Sequence, residues 1–137
     1  MPIYAHTIRP NFRDVSAIAS CVAASTPVTL YTLPYDGSTC IIRKLTIFNG
    51  QAAPVTVQIG YTPSGGSFTK ELTDFYAING QDNEWTEDQL PAYEFPSQAS
   101  NASTTIIQVQ ASAAGAAPAD VRVQVEVEVL PGLSVHA

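Results

Sequence analysis

The chain lacks any uninterrupted apolar run of roughly 18 residues, so no membrane-spanning helix is expected. It is also poor in cations. Six Lys and Arg face twelve Asp and Glu, for a formal net charge of −6. Nucleic-acid binders present a basic patch, so no nucleic-acid partner and no membrane partner are expected. Cysteine is scarce. Cys21 and Cys40 are too few for a disulfide scaffold. Buried free thiols are expected, with a bridge between neighbouring strands left open. Histidine occurs only as His6 and His136. Nucleophilic catalysis commonly needs a His base beside its nucleophile, and a jelly-roll metalloenzyme gathers inward-facing histidines. Zinc-type CxxC or HxxxH spacing and glycine-rich phosphate loops are missing too. The expectation is a non-enzyme with no catalytic residues, no metal ligands and no cofactor. The opening MPIYAH has neither the charged start nor the apolar core of a signal peptide, which predicts a protein made in a cytoplasm and not exported by the general route.

What is present is strand signal. Val121 to Val129 reads VRVQVEVEV, with valine at every odd position and Arg122, Gln124, Glu126 and Glu128 between. Strand side chains alternate between faces, so this stretch has one dry face and one wet face. A helix would scatter the valines around its cylinder. β-branched valine also suits a pleated surface.

The remaining chain supplies partners for that strand. Residues 28–33 (VTLYTL), 40–48 (CIIRKLTIF), 55–61 (VTVQIGY) and 104–112 (TTIIQVQAS) read as strands. Val55, Val57, Ile59 and Tyr61 share one face, and Ile107, Val109 and Ala111 face inward, beside the valine strand. Residues 34–37, 63–66 and 113–119 read as turns, and Asn49-Gly50 ends a strand. Residues 15–24 predict one strand in which Val15, Ala17, Ala19, Cys21 and Ala23 alternate with Ser16 and Ser20. Residues 67–78 also predict a strand, with Phe68, Leu72, Tyr76 and Ile78 on one face. Residues 81–96 predict a loop, then a short strand around Pro91–Phe95.

At 137 residues the chain predicts one domain. The expected fold is all-β: a two-sheet antiparallel β-sandwich, jelly-roll-like, of seven to eight strands. The expected divisions are an extended N-terminal arm over 1–14 without regular structure, a sandwich over 15–130 and a C-terminal tail over 131–137. Within the arm, Tyr4, Ile8, Arg9, Phe12 and Arg13 are candidate interface residues, as spaced apolar anchors with two cations. Residues 1–44 carry net +2 and residues 45–137 net −8, so the leading segment could dock on an acidic neighbour.

The loop 81–96 holds the one tryptophan and five acids. Trp85 is a candidate interface residue, since tryptophan is enriched in interfaces as well as in cores. Glu84, Glu87, Asp88 and Glu94 could serve as paired glycosidase carboxylates. Asp82, Asn83, Glu84 and Asp88 offer oxygen ligands for Ca²⁺, at a spacing that matches no EF-hand. A solvated acidic surface accounts for these residues more simply. Trp85, Tyr93 and Tyr76 could alternatively form a sugar-stacking platform.

Residues 24–49 (ASTPVTLYTLPYDGSTCIIRKLTIFN) and 53–60 (APVTVQIG) carry a resemblance. The pattern of a TLYT strand, a proline turn, a strand ending in Asn and a VTVxIG strand resembles small structural proteins of tailed bacteriophages. The resemblance covers about residues 24–60, with weaker echoes between Val109 and Val129. It implies a virion component: a capsid decoration (cement) protein, or a head or tail appendage. The implied partners are the major capsid protein or another virion protein, and further copies of the chain, with a trimer favoured. The implied location is the virion, assembled in the host cytoplasm. A carbohydrate-binding β-sandwich module is the alternative.

Overall fold

The alternating valines form β12 (Val121–Leu130), and all five are buried. β5 (Thr39–Asn49) runs antiparallel beside it over its whole length. Each fully buried valine contributes roughly 1.5–3 kcal/mol of transfer free energy, so this pair forms the spine of the domain. The structure is a computed structural model describing residues 6–8, 10–34, 38–62, 67–95, 106–130 and 133–135; the turns expected at 34–37 and 63–66 lie largely outside them.

β5 does not keep one parity. Cys40 and Ile42 are buried, then Leu45, Ile47 and Asn49. The register against β12 shifts between Glu126 and Val127, leaving Arg43 without an opposite residue. This one-residue bulge reconciles the two inward sets. It also turns the consecutive cations Arg43 and Lys44 toward the outer face.

On the far side of β12 lie β2 (Phe12–Val15) and β3 (Ala19–Cys21). On the far side of β5 lie β9 (Asp82–Trp85) and β10 (Glu94–Phe95), separated by a 3-10 turn over Glu87–Gln89. This is the first sheet. The second runs in the order β4 (Val28–Thr32), β11 (Ile106–Ala111), β6 (Val55–Tyr61), then β7 (Thr69–Lys70) and β8 (Phe75–Ala77), which both pair with β6. All pairs are antiparallel. When β2/β3, β7/β8 and β9/β10 are each taken as one interrupted strand, these two sheets have eight strand positions among the described residues. The chain visits the sheets in the order first, second, first, second, second, first, second, first. That is a jelly roll, and the all-β two-sheet expectation holds. One core cluster, drawn from the inner faces of both sheets, fills the space between them.

The sequence reading needs correction at several strands. Residues 15–24 do not form one strand. The Ser16 hydroxyl accepts a bond from the Val125 amide at 3.0 Å, and the Ser16 amide donates to the Val125 carbonyl at 2.9 Å. Ala17 and Ile18 then bulge out before Ala19 pairs with Val123. Ser16, Ala19 and Cys21 are therefore buried, while Val15, Ala17, Ile18 and Val22 face solvent. Residues 67–78 are likewise split. Leu72, Phe75 and Ala77 are buried, and Tyr76 and Ile78 are exposed, the reverse of the expected face for the last two. Gly60 explains the close approach of β7: an added Cβ there would stand 1.9 Å from the Thr69 carbonyl oxygen.

Residues 82–85, expected as loop, form β9, because β5 extends past β10 and offers Leu45–Phe48 as a partner. β11 does not lie beside the valine strand. It belongs to the opposite sheet, and Ile107, Val109 and Ala111 face β12 across the core. The chain crosses between sheets through the small-residue turn 113–119, which contains a cis Ala117–Pro118 bond. Gly50 packs against that turn, where a Cβ would meet the Pro118 and Asp120 carbonyl oxygens at 2.2 and 2.6 Å.

The expectation of no regular structure over 1–14 also fails. β2 adds Phe12–Val15 to the first sheet, and β1 (His6–Ile8) pairs with β13 (Leu133–Val135). Backbone ladder bonds outweigh the disorder that Pro10 suggests, since proline need only sit between the two pairings. Four residues back from Phe12 and four on from Val129, the pair Ile8–Leu133 resumes the same antiparallel register. Near the chain's two ends β1 and β13 thus form a ribbon, which among the described residues pairs with no further strand.

Candidate functional site

The wet face of β12 is the most structured part of the surface. The bulge in β5 aims Arg43 at Glu128, with Nη2 and Nε 2.7 and 2.9 Å from one carboxylate oxygen. Arg43 also reaches Glu87 at 3.3 Å, which the 3-10 turn holds over the sheet. A capping box fixes that turn, with the Thr86 amide donating to Gln89 Oε1 at 2.9 Å. From the other edge, Arg13 approaches Glu126 at 3.4 Å and Glu87 at 3.6 Å. Lys44 stands 3.7 Å from Glu84. The hydrogen bond from Arg43 holds the Glu128 carboxyl below its usual range. The basic leading segment therefore meets acids of its own sheet, at least through Arg13.

Next to this network the outer face opens into a groove of about 400 Å³, lined by Ile18, Thr46, Phe48, Asp82, Arg122, Val123 and Gln124. The Ser16 bulge creates one wall by pushing Ile18 outward, where it is 60% exposed. The Arg122 guanidinium lies over the Phe48 ring at 4.3 Å from its centroid, a cation–π arrangement. Gln124 is held by a bond to the Ser16 carbonyl at 2.9 Å. A smaller recess between Val15, Lys44 and Glu126 shares Thr46 and Gln124 with it. The groove can bury an apolar group beside a cation.

Two tyrosines tie the sheets together at their margins. Tyr31 of β4 donates to Asp14 of β2 at 2.9 Å, and Tyr93 donates to Glu71 at 2.6 Å. Burial first, then the bonded carboxylate, push both phenols up, Tyr93 to about 12. Cys21 and Cys40 are free, buried thiols, and burial raises them to about 11 and about 12.

The candidate interface residues are scattered. Tyr4 and Arg9 lie outside the described residues, and Ile8 is described only as backbone in β1. Phe12 is half-buried against the chain's own core, and Arg13 belongs to the network above. Trp85 packs edge-to-face on Phe75 at 5.3 Å. The structure does not bring Trp85, Tyr93 and Tyr76 onto one platform. Phe75 faces inward to meet Trp85, so its neighbour Tyr76 faces the opposite side of the second sheet. Tyr93 packs edge-to-face on Phe95, with ring centroids 5.0 Å apart.

Of the acids of 82–94, Glu84 and Glu87 are paired with cations of the first sheet. Asn83 bonds the Ile78 amide and the Ile47, Ile78 and Gln81 carbonyls. Glu94 accepts from Thr39. Among the described residues no three His, Cys, Asp or Glu side chains gather as a metal site, and no helix is long and apolar enough to cross a membrane. Sequence reasoning missed Ile18, Phe48 and Arg122. The parity change within CIIRKLTIF was the one available signal, because it requires a bulge.

No family model and no curated protein match this chain. Similar solved structures include a subunit of Bacillus endospore appendages, described as disulfide-linked pili, at 13% identity, 96% of each chain and a TM-score of 0.49. A chain of the acid-stable capsid of Helicobacter pylori bacteriophage KHP30 is similar at 12% identity, 98% of each chain and a TM-score of 0.46. A chain of infectious bursal disease virus, Gx strain, is similar at 12% identity and a TM-score of 0.43, over 89% of this chain and 32% of that one.

Proposed function

We propose that the protein is a non-enzymatic structural component of a virion: a capsid decoration protein that forms homo-oligomers and binds the particle surface. Its partner in this reading is the major capsid protein or another virion protein, and a trimer is the oligomer that the resemblance over residues 24–60 favours. One structural observation carries the reading. Near the chain's two ends β1 and β13 form a ribbon that, among the described residues, pairs with no third strand. A two-stranded ribbon is marginally stable on its own, so the arrangement suits a chain that completes it against another surface. Residues 1–9 and 131–137 hold one cation, Arg9, and no acid, whereas residues 10–130 hold all twelve acids. The ribbon is thus suited to an acidic partner.

The tether of this reading is the ribbon, not the whole of 1–14, because β2 is part of the first sheet. Removing residues 2–9 leaves β2 and the sandwich in place. Circular dichroism should report an intact fold, and binding to particles stripped of the protein should be lost. Equal binding by the truncated and full chains would overturn the tether. Absence of the protein from purified virions by mass spectrometry would overturn the virion assignment itself. A head or tail appendage is the second reading, supported by the same ribbon, and particle subassemblies probed separately distinguish the two.

A further inference from the structure

The sequence holds the dipeptide Asn-Gly twice, as Asn49-Gly50 and Asn79-Gly80. This dipeptide readily loses ammonia. The glycine amide nitrogen attacks the asparagine side-chain carbonyl, and a residue without Cβ leaves that approach open. The two copies share their covalent chemistry, so any difference between them comes from the fold.

Asn49 is locked. It is fully buried at the end of β5. Its Nδ2 donates to the Ala53 and Ala77 carbonyls at 3.0 Å each, and its Oδ1 accepts from the Gln51 amide at 2.9 Å. The Gly50 amide donates to the Asp120 carbonyl at 3.0 Å. Attack there requires these bonds to break inside the fold, where leaving a buried polar group unpaired is costly. The close packing of Gly50 on the 113–119 turn also leaves its backbone no room to move.

Asn79 has the opposite setting. It stands at the tip of the corner joining β8 to β9, and Asn79, Gly80 and Gln81 are all exposed. Among the described residues no hydrogen bond holds the Asn79 side chain. Asn83 fastens the flanks of the corner, through the Ile78 amide and carbonyl and the Gln81 carbonyl. The tip is fastened by the Gly80 amide, which donates to the Asn49 carbonyl at 2.8 Å. A Cβ added at Gly80 would meet nothing within 4 Å, so the tip has space to rearrange.

We propose that Asn79 is a site of spontaneous deamidation in the folded protein, while the fold shields Asn49 from the same reaction. The Gly80 nitrogen bonds to Asn79 Cγ and the Cγ–Nδ2 bond breaks. Nδ2 departs as ammonia, taking the proton of the Gly80 amide. Water then opens the five-membered imide at either carbonyl and leaves aspartate or isoaspartate at position 79. Before attack the Gly80 N–H must release the Asn49 carbonyl, so local opening of the corner gates the rate. The product adds one negative charge beside Asp82 and Glu84. This modification goes beyond the virion reading and does not depend on it.

The test incubates the full chain at mildly alkaline pH, folded and in urea, and follows both dipeptides by peptide mapping with mass spectrometry. In the folded chain position 79 should convert at least about tenfold faster than position 49, the factor given by a difference of about 1.4 kcal/mol in opening free energy. In urea the two rates should converge, because the dipeptides are then equivalent. Isoelectric focusing of the folded chain should show an acidic band that grows with time and that Asn79→Ser abolishes. The folded-against-urea comparison needs no variant, so it stands even if Asn79→Ser misfolds. Equal rates at the two positions in the folded chain would overturn the inference, as would an intact Asn79 there while the urea sample converts.

Discussion

The two sheets have similar inner faces and very different outer ones. Outside the first, Arg13, Arg43 and Lys44 are interleaved with Glu84, Glu87, Glu126 and Glu128. Outside the second, the groups are mostly uncharged. Gln110 bonds Gln58 at 2.8 Å, Thr62 bonds Gln108, and Ser112 bonds the Thr56 amide at 2.9 Å. The strands differ as well: the first sheet is built on strands of 11 and 10 residues, while the longest in the second has 7. The bulge in β5 is what turns adjacent cations toward the acids. The shorter strands of the second sheet carry a bulge of their own at Leu30 of β4 and an outer face of amides and hydroxyls. One surface is compensated by ion pairs and the other is mostly uncharged.

The largest test of this comparison concerns the spine. Leu45 is fully buried at the centre of β5, whereas Leu30 lies on the edge strand β4. Leu45→Ala should cost about 2–5 kcal/mol in urea unfolding. Leu30→Ala should cost at least about 1 kcal/mol less, because an edge site collapses more readily. Equal losses would mean that the two sheets share the load evenly.

The next test is alkaline pH. Tyr31, Tyr93, Cys21 and Cys40 all hold their protons more tightly when folded, with values raised from ordinary ones of 10.0 and 9.0. Their contribution is complete below those ordinary values and is lost as pH rises through the folded ones. The urea midpoint should therefore fall from about pH 9 upward. Tyr93→Phe should flatten the part of that slope due to its bond with Glu71. An unchanged slope would remove Tyr93 as a tie between the sheets.

The smallest effect belongs to the charged face. Arg43→Met should lower the unfolding midpoint slightly at low salt and hardly at all at high salt, since exposed pairs are screened. Glu128 has a lowered value when folded, so its contribution is present at neutral pH and disappears on acidification through the carboxylate range. Arg43→Met should blunt that acid sensitivity, whereas Gln110→Ala on the second sheet should leave both salt and acid responses alone.

Much of the core was legible from alternation. Valines 121–129, Val55 to Ile59 and Ile107 to Ala111 point inward as their spacing says. The candidate site was less legible. Ile18 turns outward because the Ser16 hydroxyl intercepts the ladder, and nothing in VSAIASC announces which serine does so. Arg13 meets Glu126 only because β2 lies beside β12, more than a hundred residues away in sequence. Tyr76 and Ile78 face away from the core, against expectation, because β8 starts a new strand after the turn behind Leu72.

The sequence alone determined that the chain is all-β, that β12 has one dry face, and that its histidines stand only near the two ends. These follow from period-two spacing and composition, which are local properties. Only the tertiary structure decided the sheet to which each strand belongs, the jelly-roll order and the parity-changing bulges at Arg43 of β5 and Leu30 of β4. Those depend on which strand lies alongside. Backbone hydrogen bonds are indifferent to side-chain identity, so strand spacing can propose a partner, and only packing across the core selects it.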